Sequence, residues 1–334
     1  MEQLRASLSE VAVEHRFSGV VRVDRGGQVV VAEAFGLAER GLAVPNTLDT
    51  QFGIASGCKG FTALTVVSLV NEGRLGLDTP ARALLGDDLP EVVDAVTVAD
   101  LLAHRSGVGD YVDEEAGFDA ADYVLTMPVH SMATTEAYLP ALRGHAPKFA
   151  PGERFSYCNS GYVILAFLVE RLTGTSFHDL VGERVCGPAG LRDTAFLRSD
   201  ELPGRAARGY LAPDGLRSNV LHLPVRGSGD GGLYSTVGDV HAFWRALFAG
   251  RIVPLPWVEE MVRPRSDVPE ESRRYGLGFW LHESRDIALL TGYDAGVSFR
   301  SGHDPAADVT WTVISNTSEG AWPVAEHLEK LLLG

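Results

Sequence analysis

Strand signals stand near the two ends of this chain and are sparse between them, so a single sheet has to be assembled from both ends. Near the start, SGVVRVDRGGQVVVAEAFG (18–36) is two alternating apolar runs joined at Gly26–Gly27, the pattern of a β-hairpin. Near the end, DIALLTG (286–292), VSFRS (297–301) and DVTWTVISNT (308–317) read as three neighbouring antiparallel strands, followed by a helix from about Trp322 to Leu333. From Asp78 to about Val225 the pattern is helices and loops. TVADLLAHRSG (97–107) reads as a short helix with a glycine stop, and SGYVILAFLVERLTG (160–174) as a strongly apolar helix closed by Gly174. The expected architecture is α/β of the α+β kind. Residues 1–77 and 226–334 build an antiparallel sheet flanked by helices, and 78–225 form an inserted all-helical subdomain. A cleft between these parts is the default place for a ligand.

A chain of 334 residues, 45% apolar, buries a sizeable core. Its formal net charge of −15 opposes nucleic acid and anionic membrane as partners, which leaves small or peptide-like substrates. The first residues, MEQLRASLSEVAVEHRF, form an amphipathic helix pattern without the basic start and apolar stretch of a signal peptide. No run of about 18 apolar residues follows, so the expectation is a cytoplasmic protein without a membrane span. Cys58, Cys158 and Cys186 are odd in number and widely spaced, which suits reduced thiols. No CxxC or HExxH spacing occurs, so a metal site is not expected.

Chemistry concentrates first in ASGCKG (55–60), at the start of a helical pattern running from about Ser56 to Gly73. At about 100° per residue, Ser56 and Lys59 lie roughly 60° apart on one face, and Cys58 points roughly 200° away from Ser56. A helix start favours developing negative charge, so Ser56 with Lys59 is a workable nucleophile and base. A second group stands in FSYCNSGY (155–162), where Tyr157 and Asn159, two apart in an extended loop, project to one side. Taken alone, these two read better as a core aromatic and a helix cap or turn residue. Cys58 and Cys158 are read as small buried packing residues, with a redox pair as the alternative. His104 is read as structural, His303 as a turn residue, and DEEAGFD (113–119) as a solvated loop at the cleft mouth.

The order of these motifs resembles the serine β-lactamase and penicillin-binding protein superfamily, in particular its class C β-lactamase, DD-carboxypeptidase and esterase branch. The resemblance covers nearly the whole chain, through FGIASGCKGFTAL, LLAHRSGV, FSYCNSGY with VERLTG, GPAGLRDTAF, GDGGLYSTVGDVHAF and YGLGFWL. It implies the β-lactamase/DD-peptidase-like fold and a serine hydrolase that needs no cofactor. Ser56 would form an acyl-enzyme on an ester or amide. Lys59 would take its proton or hold Tyr157 as phenolate, Tyr157 would act as general base, and Asn159 would hydrogen-bond the substrate. Backbone N–H groups of Ser56 and a terminal strand would form the oxyanion hole.

The family's third motif, Lys-Thr-Gly or His-x-Gly, falls in LLTGYDAGVSFRS (289–301), which holds neither Lys nor His. One register puts Tyr293-Asp294-Ala295 there and another Asp294-Ala295-Gly296. Either removes a positive charge that binds substrate carboxylates, and Asp294 would repel one, which turns the expectation toward neutral or cationic esters and amides. An acyltransferase working through the same intermediate, and a non-catalytic binding protein on the same fold, are the rival readings.

Overall fold

The structure, a computed structural model, describes residues 2–117 and 122–334. Its main sheet has eight strands: β1 (Gly19–Arg25), β2 (Gln28–Phe35), β3 (Ser266–Val268), β4 (Arg273–Tyr275), β5 (Trp280–His282), β6 (Ala288–Asp294), β7 (Val297–Asp304) and β8 (Val309–Ser315). Their spatial order is β2-β1-β8-β7-β6-β5-β4-β3, and every pairing is antiparallel. The long-range step is β1 against β8, with Gly19 opposite Ser315 and Arg25 opposite Val309. This pairing joins the two ends of the chain in one sheet.

Alternation along the strands sorts side chains onto the two faces. Val21, Val23, Trp311 and Val313 pack with Val324 and Leu328 of a terminal helix, α5 (Ala321–Leu333), and with Leu8 of the first, α1 (Glu2–Glu14). Val20, Leu290, Phe299 and Ile314 point the other way. They join a larger core with α2 (Lys59–Asn71), α3 (Asn159–Thr173) and α4 (Val237–Phe248). Every residue of α2 from Lys59 to Leu69 and of α3 from Asn159 to Val169 is buried, which is why both read as nearly continuous apolar runs. Among the described residues, 78–225 contribute no strand to the main sheet.

Three local expectations are corrected. The helix expected over 97–107 spans only Val98–Leu102, capped by reciprocal bonds between Thr97 and Asp100. It stops before Gly107 because His104 turns into the left-handed region at φ 54°. His303 is no turn residue; it is buried in β7 and bonded to Thr310. The preceding Gly302, which suggested a turn, instead makes room for Trp311, whose ring atoms lie 2.3 Å from where a Cβ would stand. Finally, α2 begins at Lys59, and Ser56 sits in a 3₁₀ turn, Ala55–Cys58, ahead of it.

No helix among the described residues is long and apolar enough to cross a membrane.

Candidate active site

The 3₁₀ turn brings Ser56 and Lys59 closer in phase than an α-helix does. At three residues per turn, positions i and i+3 eclipse. Lys59 Nζ donates to Ser56 Oγ at 2.8 Å. Ala55, Gly57 and Cys58 are buried, so within the turn only Ser56 opens toward the cleft. Ala55 holds φ 44°, a left-handed conformation that costs an alanine about 1–2 kcal/mol and sets the approach to Ser56. Lys59 is 2% exposed and has two further acceptors, Asn159 Oδ1 at 2.8 Å and the Asp230 carbonyl at 2.7 Å. Its three donors are therefore all engaged.

Cys58 points into the core, with Sγ 3.5 Å from the Gly229 carbonyl, and burial pushes its thiol far up. Cys158 is buried as well, its sulfur bonded to the Val108 carbonyl at 3.5 Å, and burial raises its thiol too. Both behave as packing residues. Cys58→Ala is expected to keep kcat/KM within about threefold while costing about 1 kcal/mol of stability through a small cavity; steady-state kinetics beside a urea melt checks both.

Tyr157 faces Ser56 from the opposite wall, and the two hydroxyls share a hydrogen bond. Its ring lies under Lys59 Nζ at 4.8 Å and stacks on Trp280 at 6.0 Å and against His104 at 4.3 Å. His104 accepts the Cys158 N–H through Nδ1 at 3.1 Å, so it fixes the backbone between Tyr157 and Asn159. Burial and the Lys59 charge hold its imidazole well below the ordinary histidine value, hence neutral. Asp110 secures the same segment by accepting the N–H groups of Asn159 and Ser160 at 2.7 and 2.8 Å. Burial outweighs these bonds and pushes its carboxyl up to about 6. Asn159 is neither a cap nor an exposed binder. It receives Lys59 on its oxygen, and its nitrogen donates to the Val112 carbonyl at 3.1 Å and Glu114 Oε1 at 3.0 Å. A substrate reaching the Asn159 amide has to displace one of them.

Strand β6 closes the third side. It pairs with β7 along its length but with β5 only at Ala288 and Leu289, so from Leu290 onward its outer edge borders the Ser56 turn. The closest approach is at Gly292. A Cβ there would lie 2.1 Å from the Ile54 carbonyl oxygen and 3.0 Å from Ser56 N. The two-residue turn Ala295–Gly296 makes Asp294 and Val297 a hydrogen-bonded pair. The alternation then aims the Tyr293 N–H away from β7, to the edge that borders Ser56. Leu290, Gly292 and Asp294 share the face toward the turn, with Leu290 against Gly60. Neither register read from the sequence matches this approach, which falls earlier on the strand. Tyr293, Asp294 and Ala295 do line the cleft, whereas Gly296 does not: its N–H is taken by Ser318 Oγ at 2.9 Å, and it backs onto Gly209.

These walls enclose a cleft of about 930 Å³, open at its mouth. Of its acids, Asp294 and the loop of Glu114 were singled out in the sequence and Asp230 was not. Asp230 accepts the Tyr111 phenol at 2.6 Å, and its carboxyl is raised by burial against the pull of Lys59 and Tyr111. Asp294 is pushed up to about 7 by burial and by Asp230, with Lys59 opposing and Glu114 adding to the rise. Glu114 belongs to the acidic loop expected at the cleft mouth and does line the cleft; residues 118 and 119 of that loop lie outside the described residues. The one available signal for Asp230 was its place in GDGGLYSTVGDVHAF.

A protein-family model described as Beta-lactamase matches residues 4–333. The chain belongs to the beta-lactamase family. Among family members, penicillin-binding protein 4* of Bacillus subtilis is 27% identical over 88% of this chain and 66% of its own. A D-aminopeptidase of Brucella anthropi is 30% identical over 95% of this chain and 59% of its own. The chain thus spans about three fifths to two thirds of the length of these two relatives. The crystal structure of a penicillin-binding protein from Bacillus halodurans superposes with a TM-score of 0.90, at 33% identity over 97% of this chain and 99% of that one. The fold is therefore the β-lactamase-family one, an antiparallel sheet flanked by helices.

Proposed function

We propose that this protein is a serine hydrolase that cleaves an ester or amide through an acyl-enzyme on Ser56, in a cleft between the sheet part (1–77 and 226–334) and the helical part (78–225). The observation that carries this reading is the placement of Lys59 Nζ 2.8 Å from Ser56 Oγ with the Tyr157 phenol bonded to the same hydroxyl. In acylation, Ser56 Oγ bonds the substrate carbonyl carbon and the bond to the leaving alcohol or amine breaks. The serine proton passes through Lys59 and Tyr157 to the leaving group. Water then attacks the ester carbonyl, the same pair takes one of its protons and passes it to Ser56 Oγ as the bond between Oγ and the acyl carbon breaks, and the carboxylic acid leaves.

The active pair has one proton fewer than an ammonium beside a phenol. A free amine with a phenol, or an ammonium with a phenolate, satisfies that count equally. Burial and the Glu114 charge push the Tyr157 phenol well above its ordinary value, which acts against a phenolate there. Lys59 is then the base and Tyr157 the relay. The N–H groups of Ser56 and Tyr293 are the proposed oxyanion hole, a contribution of about 3–4 kcal/mol per donor in comparable hydrolases.

The relatives' names, a penicillin-binding protein and a D-aminopeptidase, support acyl chemistry at amide-type carbonyls. Three buried, unpaired cysteines suit a reducing compartment and support a cytoplasmic setting. The test is labelling by a fluorophosphonate probe and hydrolysis of a chromogenic ester, each lost in Ser56→Ala. Wild-type protein that neither labels nor turns over overturns the reading.

A further inference from the structure

The cleft that holds Ser56 is acidic, and the acyl-transfer chemistry proposed above uses none of that acid. Glu114, Asp230 and Asp294 line it, and among the described residues no Lys or Arg does. Lys59, behind Ser56, is already engaged by three acceptors. Asp230 is held by Tyr111 and Glu114 by Asn159. Asp294 lines the cleft, sits deep enough for burial to raise it, and has no hydrogen-bond partner among the described residues. An anionic substrate meets repulsion here, whereas a cation meets an uncommitted acceptor.

The position of Asp294 limits where that cation sits on the substrate. Asp294 is two residues beyond Gly292 on the same strand face, about 7 Å along β6 from the point where the strand touches Ser56. A Cβ placed on Gly231 would lie 3.6 Å from Asp294 Oδ2 and 3.9 Å from the Ala55 carbonyl carbon, so the carboxylate and the peptide that leads into Ser56 flank the same point of the cleft. A cation bound to Asp294 is therefore placed beside the carbonyl that Ser56 attacks. Leu125, Leu197, Leu223 and Tyr138 add apolar wall, which accommodates a hydrocarbon or aromatic substituent.

Resting on the hydrolase reading above, we propose that the cleft selects amino-acyl esters and amides: an ammonium adjacent to the reacting carbonyl is received by Asp294, and an apolar side chain by the leucine and tyrosine wall. Selection depends on pH in a defined way. Asp294, facing Asp230, Glu114 and Lys59, loses its charge as pH falls below about 7. The substrate's α-amine loses its own as pH rises, at roughly 8 in a peptide and at lower pH in an α-amino ester, whose ester group withdraws more electron density. The preference is therefore greatest where the two charges overlap and declines on both sides.

The experiment compares methyl esters of D- and L-phenylalanine with methyl 3-phenylpropionate, in which hydrogen replaces the ammonium, by acid release in a pH-stat. The expected result is a kcat/KM for at least one phenylalanine ester about tenfold or more above the des-amino ester at pH 7.5. In Asp294→Asn and Asp294→Ser that ratio falls about tenfold; being internal to each preparation, it does not depend on how much protein folds. A wild-type ratio of one or less, or a ratio unmoved in both variants, overturns the proposal while leaving the hydrolase reading intact. Calorimetric binding of phenylalaninamide and 3-phenylpropionamide to Ser56→Ala reads the same preference without turnover. Failure of the hydrolase reading and failure of the ammonium reading are thereby told apart.

Discussion

Lys59→Ala lowers kcat/KM for a chromogenic ester by about 10⁴-fold or more, and it also destabilises the fold, which Ser56→Ala does not. The first effect follows from the proposed role of Lys59, whose Nζ lies 2.8 Å from Ser56 Oγ, as the group that takes its proton. Removing a member of a nucleophile–base unit costs on the order of 10⁴ to 10⁶ in kcat. The second follows from burial. Lys59 is 2% exposed, and its loss strands Asn159 Oδ1 and the Asp230 carbonyl without their donor. Unsatisfied buried groups cost about 1–3 kcal/mol each. Ser56, half-buried at the cleft wall, leaves little unsatisfied when truncated. Single-turnover kinetics and a denaturant melt on both variants separate the contributions. Retention of more than a tenth of wild-type kcat/KM by Lys59→Ala would exclude it as the base.

What the sequence revealed of this site was what is local along the chain. Ser56 and Lys59 are three apart and Tyr157 and Asn159 two apart, so a single turn or a short extended loop brings each pair together with no knowledge of the fold. The sheet joining both ends was legible for a similar reason: period-2 patterning marks a strand wherever it pairs. The grouping of the carboxylates was not: Asp294 and the loop of Glu114 stood out singly, and Asp230 not at all. Glu114, Asp230 and Asp294 come from a loop, a Gly-rich turn and a strand end far apart in sequence, and none carries a periodic signal that ties it to Ser56. The place where β6 meets the nucleophile was also hidden, because that contact is made by backbone. LLTGYDAG contains two glycines, and only the structure tells that Gly292 abuts Ser56 N while Gly296 turns the hairpin. The resemblance to the family left open a phenolate at Tyr157, held by Lys59. Burial and Glu114 act against that charge, and neither is visible in the motif.

That backbone contact yields the second large effect. Gly292→Ala is expected to lower kcat by about 10²-fold or more while costing about 1–3 kcal/mol of stability. The added methyl would lie 2.1 Å from the Ile54 carbonyl oxygen, against backbone that cannot rotate aside, and 3.0 Å from Ser56 N. Either β6 shifts outward or the Ala55–Cys58 turn does. Each movement separates the Ser56 and Tyr293 N–H groups, whose convergence on one oxygen is what an oxyanion hole requires, and losing one such donor costs on the order of 10² to 10³ in kcat. The loss should fall on kcat more than on KM, because the donors act on charge that develops only in the transition state. A matched control is Gly73→Ala, beyond α2 at φ 70° with nothing within 4 Å of its Cβ position. It carries the conformational penalty of a left-handed alanine, about 1–2 kcal/mol, far from the cleft. Comparable destabilisation in the two variants with a kcat loss confined to Gly292→Ala ties the effect to the approach of β6 to Ser56, whereas wild-type kcat in Gly292→Ala would show that the Tyr293 N–H takes no part in catalysis.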